Sequence, residues 1–167
     1  MKKILVLITS SLLILPFVLV GNVFGATTGT VTATVTVQNV SVTVSDGTVA
    51  YGTLALNASA GTNGSDTQTA TNNGNVAETL TIRGTNSANW TLNTANSTTD
   101  NYIHRFCTAT CGSAPTNYTA LTTSYQTLAA SVAASGTQTF DLYLTTPQTS
   151  SVYTSQSVDV TVLAAAI

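Results

Sequence analysis

The sequence predicts an all-β protein, a two-sheet antiparallel sandwich that follows a cleaved secretory leader. Three observations carry this. Val and Thr dominate residues 26–167, and β-branched side chains fit a pleated surface. Apolar and polar residues alternate with period two in several separate stretches. Clusters of Asn, Asp, Gly and Ser punctuate the chain about every ten residues, the rhythm of short strands joined by turns.

The leader comes first. Lys2 and Lys3 precede an apolar run over residues 4–20, broken only by Thr9, Ser10, Ser11 and Pro16. Val23-Phe24-Gly25 then presents the side chains expected before a signal-peptidase cut. The expected cut follows Gly25, with Ala26 as the runner-up. An uncleaved anchor is the competing reading, but the run is near the lower end of spanning length and carries Pro16. The expected organisation is therefore a signal peptide over residues 1–25 and one domain over 26–167, secreted to the extracellular space or the cell surface. No cysteine follows the apolar run closely enough to serve as a lipid attachment site.

Charge narrows the partners. Beyond Gly25 the chain has two arginines, Arg83 and Arg105, against Asp46, Asp66, Glu78, Asp100, Asp141 and Asp159, a net charge of −4. Two isolated arginines make no basic patch, which excludes nucleic acid and a polybasic membrane contact. The apolar content separates this weakly charged chain from a disordered one.

The elements follow in order. Val31, Ala33, Val35 and Val37 share one face of residues 30–37, with threonines opposite. The parity slips at Gln38-Asn39, after which Val40, Val42 and Val44 continue, so a bulge or a change of sheet is expected there. Asp46-Gly47 predicts a hairpin turn into residues 48–51. Asn72-Asn73-Gly74-Asn75 predicts a second hairpin between residues 67–71 and 76–83, with Leu80 and Ile82 inward. Phe140, Leu142 and Leu144 alternate with Thr139, Asp141, Tyr143 and Thr145, and Val158, Val160 and Val162 with Ser157, Asp159 and Thr161. The polar stretches 57–66 and 93–101 read as exposed loops, and 103–118 as a third, irregular loop. Residues 128–134 come nearest to a helix and are too short for one.

Cys107 and Cys111 lie inside that third loop. An even cysteine count in an exported chain predicts a disulfide. His104 lies three residues before Cys107, so a metal cluster of the three competes with the disulfide as a reading; a fourth ligand is missing. Enzyme motifs are absent: there is no Gly-x-Ser-x-Gly, no phosphate loop and no His-Glu-x-x-His. The expectation is a non-enzymatic protein without cofactor, metal or small-molecule substrate. Several Asn-x-Ser/Thr triplets, among them Asn39, Asn63 and Asn117, permit glycosylation. Trp90, the only tryptophan, reads first as a packing anchor and second as a glycan-stacking platform.

The segments Val49-Ala50-Tyr51-Gly52-Thr53-Leu54, Thr69-Ala70-Thr71-Asn72-Asn73-Gly74-Asn75 and Val132-Ala133-Ala134-Ser135-Gly136-Thr137-Gln138-Thr139-Phe140 resemble the strand–turn grammar of secreted bacterial immunoglobulin-like surface domains. Trp90-Thr91-Leu92 is in part similar to the WxL cell-wall-binding domain, although Val160-Thr161-Val162-Leu163 stands where a second Trp-x-Leu belongs. The first resemblance implies an immunoglobulin-like sandwich, and the second implies cell-wall glycan as a partner.

Edge protection gives the leading functional expectation. Free strand edges are normally guarded by Lys, Pro or charge. Residues 30–37 carry none of these. A structural or adhesive surface protein is expected, a filament or surface-layer subunit that pairs this strand with itself or with other surface proteins. A glycan- or cell-wall-binding module centred on Trp90 is the alternative.

Overall fold

A computed structural model describes Gly25 and residues 28–95 and 98–167. The predicted leader and its cleavage site at Gly25-Ala26 lie, apart from Gly25, outside the described residues. The chain divides into two compact units, residues 1–35 and 36–167. The second unit holds ten strands, and the described residues contain no helix. In chain order the strands are β1 (Val42–Val44), β2 (Ser59–Gly61), β3 (Gln68–Asn72), β4 (Glu78–Gly84), β5 (Thr91–Leu92), β6 (Asn101–Cys107), β7 (Thr119–Ala120), β8 (Gln126–Val132), β9 (Thr137–Thr145) and β10 (Val160–Ala166).

They form two sheets, as the alternation predicted. The larger runs β1-β3-β9-β6-β5, with β2 beside β9 and β7 beside β6; the smaller runs β10-β4-β8. All pairings are antiparallel except the short contact of β5 with β6. Leu80 and Ile82 of β4 meet Phe140 and Leu142 of β9 between the sheets, with Phe106 and Leu128 completing the centre of the core. Each is buried from water, the dominant favourable term in folding.

Several expected elements change place. Asn72-Asn73-Gly74-Asn75 does reverse the chain, but β3 belongs to the larger sheet and β4 to the smaller. The predicted hairpin is therefore a crossing between sheets. The fully buried Asn72 side chain fixes that corner. Its Nδ2 donates to the carbonyls of Val76 (2.8 Å), Val132 (3.0 Å) and Ala133 (3.2 Å), and its Oδ1 accepts from Gly74 N (2.7 Å). Asp46 and Gly47 adopt positive φ of 65° and 72°, so the predicted turn is present. Residues 48–51 nevertheless pair with no strand, and no hairpin forms.

The loop expected over 57–66 contains β2 and the buried Thr62. The carboxylate of Asp141, on the outer face of β9, draws this stretch down. It accepts from Thr62 Oγ1 (3.1 Å), Thr67 Oγ1 (2.7 Å) and Asn63 Nδ2 (3.0 Å). The irregular loop expected over 103–118 begins only after Cys107. Residues 101–107 are β6, a central strand paired with β9, and Tyr102, Ile103, His104 and Phe106 are buried. The 93–101 loop likewise ends where Asn101 enters β6.

Residues 30–37 form no strand. The reason lies at the β3 corner. Residues 37–44 run extended along β3 and the turn beyond it: Asn73 N donates to Ser41 O (2.8 Å) and Asn75 N to Asn39 O (3.2 Å), in register with the β1–β3 ladder. The Asn75 side chain closes that ladder, its Oδ1 accepting from Asn39 N and its Nδ2 donating to Val37 O. Past Asn75 the chain departs for the other sheet, so the register with β3 ends at Val37. The parity slip at Gln38-Asn39 marks this change from unpaired to paired chain, not a bulge between two strands.

Cys107 and Cys111 form the predicted disulfide, with Cα atoms 5.7 Å apart, and the described residues hold no free cysteine. It closes the loop that leaves β6. Replacing both cysteines with serine is expected to lower stability by on the order of 2 kcal/mol, because so short a loop loses little chain entropy when closed. Equilibrium urea unfolding of the variant beside the parent checks this; a loss above about 4 kcal/mol would mean that the bridge supports packing rather than loop closure.

Candidate functional site: an open flank of the sandwich

β1 is an edge of the larger sheet, β10 an edge of the smaller, and the two lie side by side on one flank. Among the described residues no strand closes that flank. After β1 the turn at Asp46-Gly47 leads into residues 48–56, and β10 is entered through residues 150–159; neither segment joins a ladder. Between them lies a groove of about 270 Å³. Val44, Val49 and Tyr51 form one wall, Val158, Val160 and Val162 the other, and His104, Phe140, Leu142 and Leu144 the floor. Asp159 is the only acidic residue along it. The groove continues into a wider cleft of about 730 Å³ between residues 49–56 and 150–156, where Trp90 and Tyr153 stand.

His104 is the polar group of the floor. Its Nε2 lies 2.8 Å from Tyr51 Oη, and its Nδ1 is buried without a hydrogen-bond partner. The ring is 2% exposed, and burial pushes its pKa down from 6.5 to about 4, so it is neutral at pH 7. Burial likewise raises the Tyr51 phenol, with Asp66 adding to the shift. His104 thus sits in an aromatic cluster with Tyr51 and Tyr102. The alternative cluster of His104, Cys107 and Cys111 does not form, since the two cysteines are bonded to each other, and the described residues contain no group of three metal-ligating side chains.

This burial has a pH signature. A histidine depressed in the folded state favours folding while neutral, so that contribution is complete above pH 6.5 and is lost as the pH falls toward 4. The expected loss is on the order of 3 kcal/mol. Urea unfolding at pH 7, 5.5 and 4 should show a steeper decline for the parent than for His104→Gln. Parallel declines would show that His104 is not the group that titrates.

Trp90 is half-buried. Its Nε1 donates to Ser150 Oγ (3.0 Å), and its ring lies 6.3 Å from that of Tyr102, so it anchors the 150s segment. Asp100 holds the same segment by accepting from Ser151 N (2.8 Å) and Ser151 Oγ (2.6 Å), and these bonds lower its pKa. The structure brings Trp90 to the cleft and keeps Cys107 and Cys111 out of it. Sequence reasoning passed over Tyr51 and Glu78. Glu78 is the only glutamate in the chain, and its position at the start of a predicted strand was the available signal. It is fully buried where residues 37–41 cross the corner. Its Oε1 accepts from Ser41 N (2.8 Å), and its Oε2 has no partner.

No protein-family model, curated protein or solved structure matches the chain.

Proposed function

We propose that the protein is a non-enzymatic, secreted structural or adhesive surface protein whose copies pair through residues 30–37. One observation carries the reading. Val31, Val35 and Val37 are 92%, 91% and 80% exposed on a segment in which threonine alternates with valine or alanine and whose residues 30–36 join no ladder. Unpaired backbone with an apolar face is a template for pairing with another chain. The disulfide fits an oxidising compartment. The described residues contain no helix long and apolar enough to cross a membrane.

The chain beginning at Ala26 should form assemblies on size-exclusion chromatography and ordered particles by electron microscopy. The double variant Val31→Lys, Val35→Lys should remain monomeric with an unchanged melting temperature, since both positions are exposed. A parent that stays monomeric at millimolar concentration overturns the reading.

The Trp90 cleft favours a second reading, a glycan- or cell-wall-binding module, because Trp90, Tyr51 and the 80% exposed Tyr153 line one wide opening. Polysaccharide pull-down separates the two: retention that Tyr153→Ala abolishes, by a protein that never assembles, selects the module.

A further inference from the structure

We infer that the acceptor for residues 30–37 is the open flank of a second copy of this chain, where they add to β10 as a fourth strand of the smaller sheet. This rests on the strand-pairing reading above and says where the pairing occurs.

The parity of β10 supplies the first argument. Ile167 N donates to Ala77 O, and Asp159 O accepts from Thr85 Oγ1, both in register with the β10–β4 ladder. Successive residues of a strand direct their backbone groups to opposite edges. The odd-numbered residues of β10 therefore face β4. The N–H and C=O groups of Val160, Val162, Ala164 and Ala166 face the other edge, where no strand among the described residues pairs with them. The same four residues carry their side chains on the inner face, where Val160, Val162 and Ala164 pack on the core.

The incoming segment matches this edge in pattern, length and charge. A strand bonded to those groups places the directly opposed residues on the same face. Val31, Ala33, Val35 and Val37 would then lie over the groove floor of Phe140, Leu142 and Leu144, with the threonines outward. Eight extended residues span about 26 Å, against about 23 Å for the seven of β10. Neither partner strand carries a charge. Two edges compete: β1 has only three ladder residues, and β8, the other edge of the smaller sheet, lines neither the groove nor the cleft.

A second copy is favoured over self-closure by the path of residues 37–44. To return to its own groove the chain would have to reverse between Val37 and Ser41. That stretch is straight, bonded to Asn73 and Asn75 through the backbone, to Asn75 through its side chain and to Glu78 Oε1. Donation therefore leaves each copy with its own groove open to the next, and the assembly grows as a head-to-tail chain.

Engineered cysteines test this on the chain beginning at Ala26, whose native cysteines are already paired. One variant carries Leu163→Cys, on the outer face of β10 and 47% exposed; the others carry Thr32→Cys, Thr34→Cys or Thr36→Cys. Outer-face residues opposed across the new pairing meet in non-hydrogen-bonded positions, where Cβ atoms approach within disulfide reach. Mixing the two kinds of variant under mild oxidation should give a cross-linked dimer with one threonine position at least tenfold above the others. A peptide of residues 28–38 should suppress it and shorten the assemblies. Assemblies that cross-link to Thr43→Cys on β1 rather than to Leu163→Cys overturn the β10 site but leave strand pairing standing. A double variant, Thr34→Cys with Leu163→Cys, that closes only within a monomer overturns the second copy as partner. Monomers with no cross-link at any position overturn both the site and the pairing.

Discussion

Asn72→Ala is expected to lower the unfolding free energy by about 3–5 kcal/mol, a large share of a small domain's stability. The Asn72 amide is fully buried and serves four backbone groups: the carbonyls of Val76, Val132 and Ala133 and the N–H of Gly74. Alanine removes these partners and leaves the groups facing a void too tight to admit solvent freely. Each buried backbone group left without a partner costs roughly 1–3 kcal/mol, and partial relaxation of the turn recovers some of it. Asn72→Asp separates geometry from chemistry. It keeps the acceptor for Gly74 N but turns a carboxylate toward three carbonyl oxygens, so it should destabilise at least as much as alanine. Urea unfolding followed by tryptophan fluorescence gives both values; a loss below about 1 kcal/mol for Asn72→Ala would show that the corner is held by its backbone alone.

Leu80→Ala should cost about 3–4 kcal/mol, because Leu80 is fully buried between the sheets and the unbroken ladder of β4 with β10 limits collapse into the space left. Val162→Ala, at the groove wall, offers the instructive contrast. Val162 is only half-buried in the single chain, so the same measurement should read about 1 kcal/mol. If a strand from a second copy covers that wall, the same variant should also weaken assembly by a few-fold, which Leu80→Ala should do only through loss of folded protein. Equal stability losses for the two would contradict the open flank.

The inward positions were legible because a half-buried strand writes its burial into alternate residues. Leu80, Ile82, Phe140, Leu142 and Leu144 were all read this way, and so was the disulfide from cysteine count and compartment. What escaped was whatever depends on residues distant in sequence. Asn72-Asn73-Gly74-Asn75 announces that the chain reverses; which sheet it then enters is decided by Val132 and Ala133, about sixty residues on. β6 was hidden because a central strand, covered on both faces, does not alternate: its His104 is buried under Tyr51, and its Arg105 reaches Thr145 Oγ1. Asp141 looked solvent-facing by parity, yet the 62–67 segment folds over it. Residues 30–37 show the converse failure. Alternation states that a segment can pair and says nothing of whether its own chain supplies the partner. The open flank was invisible for a similar reason, since an unpaired strand edge leaves no mark in the residues that surround it.

The straight run of residues 37–44 also determines how the protein would bear tension. A pull on the N-terminal segment acts along the strand axis, so the backbone bonds at Asn39 and Ser41, the Asn75 amide and the β1–β3 ladder are loaded together. Bonds sheared in parallel resist far more force than bonds peeled open one after another. The corner where Glu78 and Asn75 grip the chain then acts as a mechanical clamp. In single-molecule pulling from the N-terminus, Asn75→Ala should lower the rupture force well beyond its modest effect on equilibrium stability, because rupture follows the barrier to forced unfolding and not the free energy of the folded state.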